Sequence, residues 1–338
     1  DYSTGAEAFL LEPQSTNLVT YSEQLDSGIG WINQLGSTVI GNQIGVGNST
    51  NAWKLNKASG TFKSLRFQSS LSSANYTLSW YLKKGNLNVA EFRFDGGLSA
   101  QFIDFNLLTG VAGTNNNLTN IKMELINNDW YRCQASYNST ITNVHLYIGN
   151  ASSTTQEGYV YAQYPQLEQQ SYATSYIPSD GSQTTRNQET CINATPEINS
   201  EEGVLYFEGS ALDWGASANN QISLSDGSGS NRVMIYPYSE NQLGLRFNAN
   251  ASQLVSQTIT VSILSVNFKI AIRWGNGNYS IYQNGLEAYT QSISSTPLGL
   301  SKLNFSSATG GSNFYGNTKD LQVYTKALSD AELIKLTT

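Results

Sequence analysis

The chain has 338 residues, with 18 Lys and Arg against 25 Asp and Glu for a formal net charge of −7. Only 13% of its residues are charged, about half the roughly 25% of an ordinary soluble domain. An acidic chain this poor in Lys and Arg excludes recognition of nucleic acid by phosphate neutralisation, and one His with two Cys leaves little for His-based metal or triad chemistry. Aromatic residues are plentiful instead, 20 Tyr, 12 Phe and 6 Trp, in a background of Asn, Ser, Thr and Gly that reads as a β protein with a neutral surface. No run approaches the roughly 18 apolar residues of a transmembrane helix, so no membrane insertion is expected. No charged-then-apolar signal segment is present either.

Taken in chain order, the first clear element is Tyr76 to Lys83. Tyr76, Leu78, Trp80 and Leu82 alternate with Thr77, Ser79, Tyr81 and Lys83, and a period of two marks a half-buried antiparallel strand. Between Trp130 and Ala135, Cys133 alternates with Tyr131 and Ala135, which reads as a small buried hydrophobe. A single disulfide from Cys133 to Cys191 is the alternative, too sparse to be a framework. Val144, Leu146 and Ile148 alternate with His145 and Tyr147, and Val160 and Ala162 with Tyr159, Tyr161 and Gln163. From about Pro178 to Glu202 the pattern lapses into Pro, Ser, Asp, Gly, Thr and Asn, as a linker does.

Strands resume at Val204–Phe207 and recur at 233–238, 245–247 and 269–274. Tyr279 to Gln283 runs into Asn284-Gly285, the strongest short hairpin signal, because both residues tolerate positive φ. One helix is expected, at the end, where Ser329-Asp330-Ala331-Glu332 forms a capping box ahead of Leu333. The fold class expected is all-β: two antiparallel β-sandwich (jelly-roll) domains in tandem, with one short C-terminal helix. Residues 1–190 form the first domain, 191–202 the linker and 203–338 the second. Trp80 and Trp274 fall on apolar strand faces and read as core, whereas Trp31 and Trp53, flanked by polar residues, are the Trp residues open to exposure.

Two stretches resemble known families. Leu11-Glu12-Pro13-Gln14-Ser15-Thr16-Asn17-Leu18 with Tyr21-Ser22-Glu23 resembles the start of a carbohydrate-binding-module-like jelly roll. That domain recurs in phage and prophage virion proteins and in secreted proteins of polysaccharide-using bacteria. Tyr76 to Gly85, Asp129-Trp130-Tyr131-Arg132, Gln166-Leu167-Glu168 and Tyr172-Ala173-Thr174-Ser175-Tyr176-Ile177-Pro178 follow in that family's order, ending near Thr185-Arg186. In that pattern Trp130 is a core residue. The second half is similar to a concanavalin A-like, laminin-G-like sandwich, through Glu202 to Phe207, the Asn284-Gly285 hairpin, Gly316 to Asp320 and Val323 to Glu332. Such resemblances imply architecture strongly and function weakly, because sandwiches host lectins, enzymes and scaffolds. The role they imply is glycan binding or surface attachment, on a virion surface or outside a cell. Partners would be a cell-surface glycan or polysaccharide, other virion proteins and, by analogy, two further copies in a homotrimer.

Catalytic patterns are thin. Glycosidases need two carboxylates at fixed separation, and the Glu-x-Asp-x-x-Glu strand of concanavalin-type glycosidases does not occur; Glu201, Glu202, Glu208 and Asp213 have the wrong spacing. Tyr81-Leu82-Lys83-Lys84-Gly85 and Asn143-Val144-His145 resemble fragments of alginate lyases, in reversed order and without the family's Arg-x-Glu strand. A polysaccharide lyase using His145 and tyrosines is therefore the third reading. The binding region of a secreted polysaccharide-degrading enzyme is the second. Asp226-Gly227-Ser228-Gly229-Ser230-Asn231 opens like a calcium loop but lacks Gly at position six and Glu at position twelve. A polar turn is the plainer reading of Asp226. No cofactor is expected, with structural calcium the open exception.

Sugar recognition remains. Sugars present apolar C–H faces and hydroxyl rims, so their sites combine aromatic platforms with uncharged hydrogen-bonding side chains. If the strands at 76–83, 144–148 and 159–163 share a sheet, Tyr81, His145, Tyr147, Tyr159 and Tyr161 lie together on the face away from the core. In the second half Tyr236, Tyr238 and Arg246 alternate away from Val233, Ile235, Leu245 and Phe247. These eight residues are the candidate glycan contacts; a subunit interface or simple cross-strand stabilisation by Tyr would use the same faces. The expected function is a non-catalytic virion surface or fibre protein that binds host glycans.

Overall fold

Two long strands, Ser64–Lys84 and Trp130–Ile148, organise residues 14–187. The computed structural model describes residues 8–26, 28–97, 101–127, 129–213, 220–261 and 266–338. The long strands pair antiparallel from Trp130 opposite Lys83 to Tyr147 opposite Ser64, with register breaks around Ile141. Across the breaks the inward set changes phase. Cys133 and Ala135 face inward on one side, Val144, Leu146 and Ile148 on the other; the partner strand switches from Leu78, Trp80 and Leu82 to Leu65 and Phe67. A bulge inserts an unpaired residue and bends the strand, so both strands turn a corner here and serve two sheets.

The front sheet runs Ser37–Gln43, Ala52–Lys57, Gly158–Glu168, the later half of Ser64–Lys84, the earlier half of Trp130–Ile148, and Thr119–Asn127. In the back sheet the order is Trp31–Gln34, the other halves of the two long strands, Val89–Asp95, Gln101–Asn106 and Val111–Asn116. Their inner faces enclose one core. Trp31 lies at its centre, against Trp80 and Phe67 at ring-centroid separations of 5.3 and 5.5 Å. The expectation of an exposed Trp31 fails because its indole N–H donates to the Tyr21 carbonyl at 2.7 Å, which satisfies the one polar atom and lets the ring bury. Trp53 is half-buried, its N–H on the Glu23 carbonyl. Cys133 is buried as a free thiol and Cys191 is also free, so the disulfide alternative is overturned.

A polar clasp closes one end of the front sheet's outer face. Asn17 donates to the Pro165 and Ile177 carbonyls and accepts from the Val19 and Leu167 amides. Glu168, fully buried, accepts from Ser15 Oγ at 2.6 Å, Gln166 Nε2 at 2.7 Å, the Thr174 amide at 3.0 Å and the Thr174 hydroxyl. Ser15, Asn17, Gln166, Glu168, Thr174 and Ile177 all belong to the stretches that carry the jelly-roll resemblance. Each supplies a hydrogen bond that a buried polar group requires.

The other unit comprises residues 1–13 and 188–338. Its six-stranded sheet runs Phe9–Leu11, Gly316–Tyr324, Gly203–Ala211, Phe268–Gly275, Asn278–Gln283 and Leu286–Ser292. The five-stranded sheet runs Ser252–Thr260, Gln242–Ala249, Arg232–Ser239, Ile222–Ser225 and Lys302–Asn304. Leu205, Phe207, Ile270, Ile272 and Trp274 from the first meet Leu224, Val233, Ile235, Leu245 and Phe247 from the second. The opening strand Phe9–Leu11 pairs with Gly316–Thr318 and so belongs here, not with residues 14–187. The 191–202 segment, whose composition reads as a linker, is hydrogen-bonded along this unit: Ala194 exchanges both backbone bonds with Leu303, and Phe305 donates to Cys191. Asn284 and Gly285 take positive φ (50° and 73°) between paired strands, as their sequence requires. The helix spans Asp330–Thr337 with the capping box formed, and it buries Leu333 against Val204, Tyr206, Ala271 and Tyr282.

Candidate carbohydrate-binding site

On the front sheet's outer face, register sets Lys54, Tyr161, Lys83 and Trp130 in one row and Gln163, Tyr81 and Arg132 in the next. The second row is roofed. Arg132 donates to the Thr174 carbonyl with its guanidinium 5.6 Å from the Tyr81 ring centroid. Tyr164 meets Tyr81 edge-on at 5.7 Å and stacks on Tyr176 at 4.2 Å. Tyr81 is therefore a packing element at the edge of the open surface.

The first row is half-buried at Lys54, Tyr161 and Lys83, buried at Trp130, and walled on one side. The segment after Ser37–Gln43 turns over the sheet and is pinned by Gln163, which accepts from the Val46 amide at 2.9 Å and donates to Ser49 Oγ and Asn51 Oδ1. Gly45 permits this approach: a Cβ there would lie 2.3 Å from Gln163 Oε1. The result is a cleft of about 380 Å³ lined by Gln43, Ile44, Gly45, Asn48, Lys83, Trp130 and Tyr161. Tyr159 adjoins it, its ring 5.5 Å from that of Tyr161 and under the Lys54 ammonium at 3.9 Å. The lining offers an indole and a phenol, amide groups, one ammonium and no carboxylate, as a neutral sugar's C–H face and hydroxyls require.

Trp130 is buried, as the resemblance implies. It is 2% exposed yet lies outside the core cluster, on the outward face beside Lys83. The alternation that turns Cys133 inward already turns Trp130 outward. The remaining wall residues come from a segment without periodicity, so no sequence pattern marks them.

The structure separates the other candidates. His145 and Tyr147 lie beyond the register breaks, on the back sheet's outer face, so the five-residue face expected from a shared flat sheet does not form. Both are nearly buried. His145 bonds Ser64 Oγ through Nδ1 at 3.1 Å and Asp95 Oδ2 through Nε2 at 2.9 Å. Tyr147 stacks on His145 at 5.3 Å beneath the Arg93 guanidinium, 4.9 Å from its ring. Burial raises the carboxyls of Glu91 and Asp104 nearby, whereas the His145 hydrogen bond holds Asp95 below its ordinary value. A lowered carboxyl stabilises the fold above its unfolded pKa of about 3.9 and loses that contribution as pH falls through the folded value. Asp95→Asn is thus expected to cost about 1 kcal/mol at pH 6, a modest figure for a carboxylate open in part to water. In urea unfolding the gap to the unsubstituted chain should close below about pH 4.

Tyr236, Tyr238 and Arg246 occupy the outer face of the five-stranded sheet, in the other unit. Asp226 closes its own loop, Oδ1 accepting from the Ser228 amide at 2.7 Å and Oδ2 from Asn231 Nδ2 at 2.9 Å. Among the described residues no three His, Cys, Asp or Glu side chains gather into a metal-ligand cluster, and no helix is long and apolar enough to cross a membrane. A second cleft, of about 390 Å³, lies beside the helix and is lined by Tyr206, Asp320, Tyr324, Leu328, Glu332, Lys335 and Leu336.

No protein-family model and no curated protein matches the chain. Among solved structures, the chain is similar to the Ruminococcus gnavus IT-sialidase CBM40 bound to α2,3-sialyllactose, at 18% identity over 41% of this chain and 84% of that one, with a TM-score of 0.35. A leech intramolecular trans-sialidase is similar at 19% identity over 41% of this chain and 23% of that one, TM-score 0.32. A heptameric SAP-like pentraxin from Limulus polyphemus follows at 17% over 44% and 73%, TM-score 0.32. Similarity at this level leaves the site to be read from its own residues.

Proposed function

We propose that the chain is a non-catalytic glycan-binding protein whose sugar site is the front-sheet cleft at Lys83, Trp130 and Tyr161. The observation that carries this reading is the cleft's lining: two aromatic side chains and two side-chain amides on a preformed sheet, with no carboxylate. Tyr161 is the platform for an apolar sugar face, Gln43 and Asn48 supply hydrogen bonds to hydroxyls, and Lys83 stands between Tyr161 and Trp130 in the row. A lyase reading would need His145 as base; that ring is nearly buried with both nitrogens engaged by Ser64 and Asp95, which favours a structural role for it. Placement on a virion surface or fibre, as a homo-oligomer, rests on the sequence resemblance of residues 7–187.

A glycan array probed with the full chain tests the reading. Binding to at least one neutral oligosaccharide is the expected result. Tyr161→Ala should weaken that binding by roughly 1–2 kcal/mol, the worth of a hot-spot aromatic, with the melting temperature unchanged. An array without binding, or an affinity indifferent to Tyr161→Ala, overturns the assignment.

A further inference from the structure

One wall of the front-sheet cleft presents an aliphatic side chain to water. Ile44 lines the cleft and is 72% exposed, and no large hydrophobic among the described residues is more so. A single exposed aliphatic needs no explanation, but this one does not stand alone. Ile40, 52% exposed, continues the outward row of the sheet: it pairs with Lys54, and Lys54 pairs with Tyr161. Both isoleucines come from Ser37–Gln43 and the turn that follows it. The donors around Ile44 are already spent. The Gly45 amide donates to the Ser49 carbonyl at 2.8 Å, the Val46 amide to Gln163 Oε1 at 2.9 Å, and Gln43 Nε2 to the Gly41 carbonyl at 2.8 Å. The same bonds hold the turn in place, so Ile44 is carried on a fixed wall.

A ligand that fills the cleft covers Ile44, and the group that covers it selects the sugar. Tyr161 takes the C–H face of the ring, which leaves a ring substituent for Ile44. A hydroxymethyl group laid there exchanges water for an aliphatic surface with no free amide beside it, and a hydroxyl stripped of its partners is costly. A methyl group in the same place gains by burial instead. An acetamide also brings a methyl, but its carbonyl needs a donor, and the neighbouring ones are engaged. On the reading that this cleft is the sugar site, we infer that it selects a neutral 6-deoxyhexose, with the C6 methyl on Ile44 and the ring on Tyr161.

The test is titration calorimetry of the full chain against oligosaccharide pairs whose terminal residues differ only at C6. The pairs end in L-rhamnose or L-mannose, L-fucose or L-galactose, and 6-deoxy-D-glucose or D-glucose. A further pair, ending in N-acetyl- or N-formylglucosamine, differs by a methyl group placed elsewhere on the ring. In at least one C6 pair the deoxy member should bind about tenfold more tightly, the lower end of what one methylene decides in an apolar pocket. Ile44→Ser should bring that ratio to about one, and Tyr161→Ala should weaken both members. Equal binding within every C6 pair, preference for the hydroxymethyl member, or a methyl preference confined to the acetamide pair overturns the inference and leaves the sugar site standing. A ratio that survives Ile44→Ser overturns it as well. No binding of any neutral sugar removes the site and the inference together. The comparison within pairs decides the matter on the unsubstituted chain even if a variant does not fold.

Discussion

Glu168→Ala is expected to lower the stability of the 14–187 unit by about 3–5 kcal/mol, since each orphaned buried donor costs about 1–3 kcal/mol. The carboxylate is fully buried and serves four donors: the Ser15 hydroxyl, the Gln166 amide, and the backbone and hydroxyl of Thr174. Alanine removes the acceptor and strands those donors away from water, with only partial relief from no longer burying a charge. Glu168→Gln separates the two terms, because it keeps the shape and removes the charge but sets one N–H₂ group against donors. It should fall between the two. Urea unfolding of the full chain followed by Trp fluorescence reads the effect, since Trp31, Trp53, Trp80 and Trp130 lie in this unit. A midpoint for Glu168→Ala within error of the unsubstituted chain would show that the clasp is dispensable.

The second large effect is expected at Trp130. Burying an indole and then deleting it leaves a void that neighbours fill only in part, and Trp→Ala changes of this kind cost about 3–5 kcal/mol. Trp130 differs from Trp31 and Trp80 in lying outside the main core cluster, on the outward face of the front sheet, where it lines the cleft together with Gly45. Its removal should therefore act twice, on stability and on sugar affinity, because the cleft loses its floor. Trp130→Phe keeps most of the packing and should recover much of the stability but less of the binding. Trp80→Ala should cost comparable stability and leave sugar affinity untouched in the fraction that remains folded. If Trp130→Ala and Trp80→Ala alter affinity alike, the floor role is refuted.

Strand existence, the Asn284-Gly285 hairpin and the capped helix were legible because each has a local cause: alternation, positive φ, and a Ser-x-x-Glu box. The inward and outward assignments along single strands held as well, including Tyr159 and Tyr161 outward and Cys133 inward. Alternation could not reveal the change of phase around Ile141, which depends on which residues stay unpaired between two strands whose facing residues, such as Ile141 and Leu71, are far apart in sequence. That slip put His145 and Tyr147 on a different sheet from Tyr161. The cleft wall was equally hidden. Gln43, Ile44, Gly45 and Asn48 matter because Gln163 pins their backbone, a contact between residues 117 apart.

Because Ser64–Lys84 and Trp130–Ile148 run through both sheets of their unit, neither sheet can form or melt alone. The ladder that joins them is a shared hinge of hydrogen bonds, and losing it would open both faces at once. The front-sheet cleft on one side and the His145 cluster on the other are thereby tied to a single folding event, assembled between strands distant in sequence and so slowly. Such cooperativity trades speed of assembly for the absence of a half-open form to attack.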